Sequence, residues 1–411
     1  MENTYGRVKF GCYMTNLSMS VVSNFTPLLF MTLKAEFGLS YSLLGLLVLV
    51  NFVTQLSVDL LFSFFSHKFS IEKSLKLTPV LTVIGLWIFA LSPWILPHRF
   101  VYGGFLLGTV IFSASGGLCE VLISPVFSEI PSKDPARSMS MLHSVYAWGV
   151  VGVVILTTLF MHFVGKDMWQ WLMIGLTLIP ILAVVFYTGA AVPSVKTPEK
   201  ASGAVSMLKS GGVWLLVLAM FLGGASEVTM AQWCSGYSES ALGLPKVFGD
   251  IFGVAFFSAA LGFGRTLYSK IGRNIERVLF FGSLGATLCY LVAVFSPIPY
   301  LALAACGVTG FFVSMLWPGT LVVASDRFPN AGVFIFAFMA SGGDLGASVG
   351  PELVGVVTDL VIENGWFSRI GEQLSLSAEQ LGMKVGLLCG TLLPLVAVFI
   401  YLKILRQKGK S

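Results

Sequence analysis

The chain has 411 residues, of which 56% are hydrophobic and 11% charged, against about 45–50% and 25% in ordinary soluble chains. A water-soluble enzyme is therefore excluded, and twelve apolar runs leave about 34 residues per run where roughly 20 cross a bilayer. The net charge of +5 calls for no nucleic acid, because Lys and Arg in membrane loops serve first to orient the chain.

Continuous apolar runs, rather than alternating ten-residue segments, exclude a transmembrane barrel and predict an all-α membrane protein. The spacing predicts spans at 10–33, 42–65, 77–97, 100–127, 139–162, 170–192, 212–237, 248–268, 278–296, 299–324, 332–360 and 381–402. Met1 to Lys9 is polar, and the run after it exceeds a signal-peptide core without a small-residue cleavage site, so the first span is expected to be retained. With an even number of spans, one side holds eighteen Lys and Arg. The other holds six, Lys34, Arg99, Lys166, Lys246, Arg369 and Lys384, with Arg265 left inside a span. That bias places both termini in the cytoplasm. Cys12, Cys119, Cys234, Cys289, Cys306 and Cys389 all fall in apolar runs without a CxxC pair, which reads as packing rather than disulfide or metal chemistry.

An ionisable side chain in mid-membrane is costly, so each needs a partner, a watery cavity or a proton. Span two carries Asn51, Gln55 and Asp59 at i, i+4 spacing, a polar stripe that is either a solute-facing surface or a hydrogen-bonded packing strip. The loop Ser66-His67-Lys68-Phe69-Ser70 follows. Glu120 in span four comes after Gly116-Gly117 and before Pro125. An unpaired carboxyl there is a candidate proton carrier, and beside Asp59 it is a candidate sodium ligand. His143, at the start of span five, reads as an end-of-helix residue, and Tyr146 and Trp148 as core or cavity wall.

The segment 193–211, rich in Lys, Pro, Ser and Glu, divides the chain into bundles at 1–192 and 212–411. Phe65-Ser66 followed by Ile71-Glu72-Lys73 returns half a chain later as Tyr268-Ser269 followed by Ile275-Glu276-Arg277, which indicates a duplicated six-helix unit. In span seven Glu227 is followed by Gln232, Trp233 and Tyr237, polar and aromatic groups of the kind that recognise a sugar ring. The same aromatics also suit a membrane interface. Trp317 beside Pro318 in span ten is ambiguous. Asp344, in Ser341-Gly342-Gly343-Asp344-Leu345-Gly346, is a candidate ion-pair partner for Arg265 in span eight, as part of a gate, or a ligand group. Gly223-Gly224-Ala225-Ser226 reads as a helix-packing contact. No Walker loop, HExxH or His/Cys cluster is present.

Six plus six spans, a mid-chain linker and short basic loops after spans two and eight resemble the major facilitator superfamily over nearly the whole chain. Gly116-Gly117-Leu118-Cys119-Glu120-Val121-Leu122-Ile123-Ser124-Pro125 resembles the span-four segment of fucose-permease-like sugar transporters. Gly264-Arg265-Thr266-Leu267 with Ser269-Lys270, and Glu227 with Trp233 and Tyr237, are similar to that branch's spans eight and seven. Where the branch has an aspartate four residues before a span-one proline, this chain has Ser23, beside Asn24 and before Pro27. Loop 66–70 occupies the gating-motif place but lacks its Gly, Asp and paired Arg.

The expectation is a secondary transporter of two pseudo-symmetric six-helix bundles, performing cation-coupled uptake of a small neutral solute, a monosaccharide first, by alternating access. Asp59 and Glu120 are the coupling-ion candidates for a proton or a sodium ion. Asn24, Asn51, Gln55, Glu120, Glu227, Gln232, Trp233 and Tyr237 are the substrate-binding candidates. No other cofactor or metal is expected, and the partners are solute and bilayer, with the protein a monomer in a plasma membrane, most simply a bacterial inner membrane. The competing readings are a proton-driven exporter of amphipathic compounds and a lipid-handling membrane protein.

Overall fold

The computed structural model describes residues 5–65, 68–131, 135–194, 209–271, 274–328 and 332–408. Among them every regular element is helical, as a bilayer demands when no water is present to satisfy backbone groups. The first half consists of α1 (Gly6–Leu28, continued by Phe30–Phe37), α2 (Tyr41–Phe65), α3 (Ile71–Ile95), α4 (His98–Ser128), α5 (Pro135–Phe163) and α6 (Trp169–Leu176 and Leu178–Tyr187). The second consists of α7 (Gly211–Ser240), α8 (Lys246–Phe248 through Phe256–Ile271), α9 (Ile275–Phe295), α10 (Pro299–Val313 and Leu316–Arg327), α11 (Gly332–Glu363) and α12 (Ala378–Gly390 and Leu392–Lys408). Ten of these elements are long and apolar enough to cross a membrane, and within α5 the shorter stretch Trp148–Phe163 is apolar. The protein is an all-α integral membrane protein, and its helices fall on the twelve expected spans.

The breaks have local causes. Proline has no N–H and its ring collides with the carbonyl four residues earlier. The first segments of α6, α10 and α12 end at Leu176, Val313 and Gly390, at or one residue before the position four ahead of Pro180, Pro318 and Pro394. In α8 the turn Gly249–Ala255 is a π-helix, a widening often found at functional sites. A short helix, Gly365–Leu374, lies between α11 and α12 and is capped by the Asn364 side chain, which accepts from Trp366 N at 2.9 Å.

The chain forms two compact units, 1–26 with 50–201 and 27–49 with 202–411. By contacts, the segment 27–49 groups with the second half of the chain. Phe30 and Tyr41 lie against Trp233 at ring separations of 5.0 and 6.0 Å. Most of the expected linker, 195–208, lies outside the described residues, as does the side chain of His143. The first unit has an apolar core in which Cys12, Tyr13, Leu118, Cys119, Phe127 and Tyr187 meet. All six cysteines are unpaired.

Small residues set the helix contacts, as membrane packing requires. A Cβ added at Gly346 on α11 would lie 2.0 Å from the backbone oxygen of Phe221 on α7, and one at Gly224 would lie 2.5 Å from the oxygen of Gly343. The two glycine-rich segments noted in the sequence therefore pack on each other. Gly346→Ala should lower stability by about 1–3 kcal/mol through overpacking, read as a fall in melting temperature of the detergent-solubilised protein.

Candidate functional site

In the first unit the α2 stripe forms as spaced. Gln55 Nε2 donates to Asn51 Oδ1 at 3.0 Å, and Ser113 Oγ on α4 donates to the same oxygen. Asn51 and Gln55 are 6% and 3% exposed, so these two act as the hydrogen-bonded packing strip rather than as an open solute surface. Asp59 differs. Its Oδ1 is buried and has no hydrogen-bond partner among the described residues.

Gly116 and Gly117 let α4 settle on this stripe. A Cβ at Gly116 would lie 3.1 Å from Gln55 Cδ and 3.2 Å from Met19 Sδ, and one at Gly117 would lie 3.1 Å from Asp59 Oδ1. Glu120 stands one turn further along the same face, three and four residues on, so its side chain projects beside α1 and α2. It is solvent-exposed and within electrostatic reach of Asp59. Among the described residues no Lys, Arg or His forms an ion pair with either acid. Of the two, Glu120 can be solvated where it stands, whereas the unmet Oδ1 of Asp59 is a buried acceptor open to a proton or a cation. Asn24 on α1 is half-buried and gives its Nδ2 to Ser20 O of its own helix at 3.0 Å.

In the second unit Pro318 leaves the carbonyl of Ser314 without its helical donor. Arg265 Nε supplies one, at 3.1 Å, while its Nη2 reaches Glu227 Oε1 at 3.5 Å. The sequence left Arg265 open between pairing with Asp344 and snorkelling to the membrane boundary, and Asp344 between an ion pair and a ligand role. In the structure the guanidinium is held between Glu227 and the proline-freed carbonyl, and Asp344 is buried on α11. Glu227 Oε2 is buried and has no hydrogen-bond partner among the described residues. Arg265 is 44% exposed at its side chain, so its pair with Glu227 is screened. Its removal still strips a partly buried carboxylate, 19% exposed, of its cation. Arg265→Gln should cost about 1–3 kcal/mol, and Glu227→Gln in the same chain should restore most of it, as a double-mutant cycle of melting temperatures would show.

The aromatic platform expected at Trp233 and Tyr237 is not presented. Both are at most 1% exposed. The Trp233 indole donates to Pro351 O at 2.8 Å and packs against Phe30 and Tyr41. The Tyr237 hydroxyl donates to Ala293 O at 2.8 Å, a carbonyl at the end of α9 that Pro297 cannot serve. Lys384 Nζ meets the next such carbonyl, Val294 O, at 2.9 Å. Gln232 is also buried, at 7% exposure. The polar atoms of both rings serve backbone carbonyls, so these side chains are core.

Sequence reading missed one charged cluster. Lys246, assigned to a loop, is 9% exposed and bonds Asp250 Oδ1 at 3.0 Å, while Ser235 Oγ donates to the same oxygen. The i, i+4 spacing of Lys246 and Asp250 was the available signal, hidden by placing the span boundary between them.

The Major Facilitator Superfamily model matches residues 12–351. No individual curated protein matches the sequence significantly. Among solved structures, a bacterial homologue of the human lysosomal transporter Spinster, inward-facing and unoccupied, matches with a TM-score of 0.76 at 13% identity, covering 98% of this chain and 97% of that one. The nucleoside transporter NupG matches at 0.71 and 13% identity, over 97% and 98%. A D-xylose-proton symporter matches at 0.69 and 15% identity, over 94% and 95%. Twelve helical spans, paired acids inside the first unit and a family match over most of the sequence lead to one assignment: the chain belongs to the Major Facilitator Superfamily and is a membrane transporter of small solutes, not an enzyme.

Proposed function

We propose that this transporter performs cation-coupled uptake of a small neutral solute of the monosaccharide class, in the manner of the fucose-permease-like branch that its α4 segment resembles. The observation that carries the reading is the Asp59–Glu120 pair, two neighbouring acids with no cationic partner among the described residues and an unmet Oδ1 on Asp59. A coupling cation bound there neutralises the pair. In the first unit Asn24 and Glu120 keep polar groups for solute hydroxyls, and in the second Glu227 keeps its Oε2 with Arg265 beside it. Coupling follows if cation and solute each favour the state the other favours, since a ligand shifts a conformational equilibrium only by its differential affinity. The D-xylose-proton symporter among the similar structures agrees with this reading. The eighteen-to-six bias of Lys and Arg supports cytoplasmic termini; a plasma membrane is the setting of the reading, and a monomer suffices for the cycle.

The testing experiment is thermal shift of purified protein with a panel of monosaccharides, with and without sodium and at two pH values. A sugar that raises the melting temperature through linkage only with sodium identifies a sodium symporter. A response set by pH identifies proton coupling. No response to any sugar under any condition overturns the monosaccharide reading and turns the search to amphipathic compounds and lipids.

A further inference from the structure

The segment 27–49 belongs to the same compact unit as residues 202–411, although it continues α1 and opens α2. What ties it there is specific. Tyr41 and Ser42 are the first two residues of α2, and their N–H groups have no acceptor within the helix. Tyr41 N donates to Asp359 Oδ1 at 3.0 Å, and Ser42 N donates to Asp359 Oδ2 at 2.6 Å. Asp359 lies on α11, over three hundred residues away, so α2 carries two caps: its own Ser40 Oγ accepts from Leu43 N at 3.2 Å, and the first two N–H groups are met by a carboxylate from the other half of the chain.

The surroundings are shaped for this contact. A Cβ at Gly355 would lie 2.5 Å from Tyr41 O, and one at Gly45 would lie 2.6 Å from Glu352 Oε2. Lys34 Nζ bonds Glu379 Oε1 at 2.9 Å, with both side chains substantially exposed, and lies 5.0 Å over the Tyr41 ring. Tyr41 OH donates to Ser240 Oγ at 3.3 Å. The surface Lys34–Glu379 pair contributes little. The carboxylate at a helix N-terminus contributes more, because both hydrogen bonds are charge-assisted and the helix dipole adds to them. When the contact opens at the aqueous end, water can satisfy the same two N–H groups, so the bond is exchangeable as a gate needs.

We infer that Asp359 is the positioning residue that latches the 27–49 segment onto α7 and α11, at the membrane face opposite the two termini, and that each transport cycle breaks and remakes this cap. The inference rests on the transporter reading. Its test does not depend on which solute or cation is carried.

Spin labels at Ala35→Cys and Gln373→Cys, both exposed positions, report the separation of the segment from the Gly365–Leu374 helix in purified protein. None of the six native cysteines is exposed, so they stay in place. The wild-type latch predicts one dominant short distance. Asp359→Asn is expected to raise the ratio of a longer-distance population to the short one by about tenfold, the loss of one charge-assisted hydrogen bond, and Asp359→Glu is expected to restore the short distance. Ser42→Pro provides a second arm. It removes one donor, leaves every charge in place, and sits in the first helical turn where proline is tolerated; it should shift the populations in the same direction. Wild-type distances in both Asp359→Asn and Ser42→Pro would overturn the inference. If Asp359→Asn does not fold, Ser42→Pro alone decides it by the same criterion.

Discussion

Glu120→Gln is expected to abolish concentrative uptake. One cation moving down 100 mV releases about 2.3 kcal/mol, which supports a solute accumulation of about 50-fold in vesicles containing the wild-type protein. With an amide in place of this carboxyl, the pair cannot take up a cation on one side and release it on the other. The ratio should then fall to about one while solute still equilibrates. Asp59→Asn should do the same, because its Oδ1 is buried without a partner among the described residues and faces the α4 glycines. If only one of the two variants loses accumulation, the other acid is a structural residue and the coupling group is single. If both accumulate normally, the pair has no part in coupling.

Trp233→Ala should be the most destabilising single substitution in the second unit. Its ring is fully buried between Phe30 and Tyr41, and its N–H serves Pro351 O. Truncation removes a large buried side chain and leaves a cavity, a loss of about 3–5 kcal/mol, seen as a sharp drop in melting temperature. Trp233→Phe keeps most of the volume, forfeits the hydrogen bond, and should cost about 1–3 kcal/mol. A solute-stacking role would give the opposite pattern, an unchanged melting temperature with lost binding.

The architecture was legible because bilayer physics leaves few options: apolar runs of sufficient length become helices, and three of them break near the position four residues before a proline while Pro79, Pro93, Pro125 and Pro351 sit inside continuous helices. The i, i+4 stripe of Asn51, Gln55 and Asp59 was readable from spacing alone, and so was Gly224 as a contact point, whereas the matching contact at Gly346 emerged only in the structure. What escaped the sequence depends on partners far along the chain. Trp233 looks like a sugar platform until Phe30 covers it. Arg265 finds Glu227 because Pro318, on another helix, frees the carbonyl that positions the guanidinium. Asp359 caps a helix that begins more than three hundred residues earlier, and no local pattern marks that pairing. Lys246 counted as a loop cation because its partner, Asp250, fell inside the predicted span.

The most direct test of the central claim is solute-driven cation movement in sealed vesicles holding the purified protein, with no imposed ion gradient. Adding a recognised monosaccharide outside should drive protons or sodium inward, with the movement absent in Glu120→Gln. Solute entry without any cation movement in the wild-type protein would contradict the account.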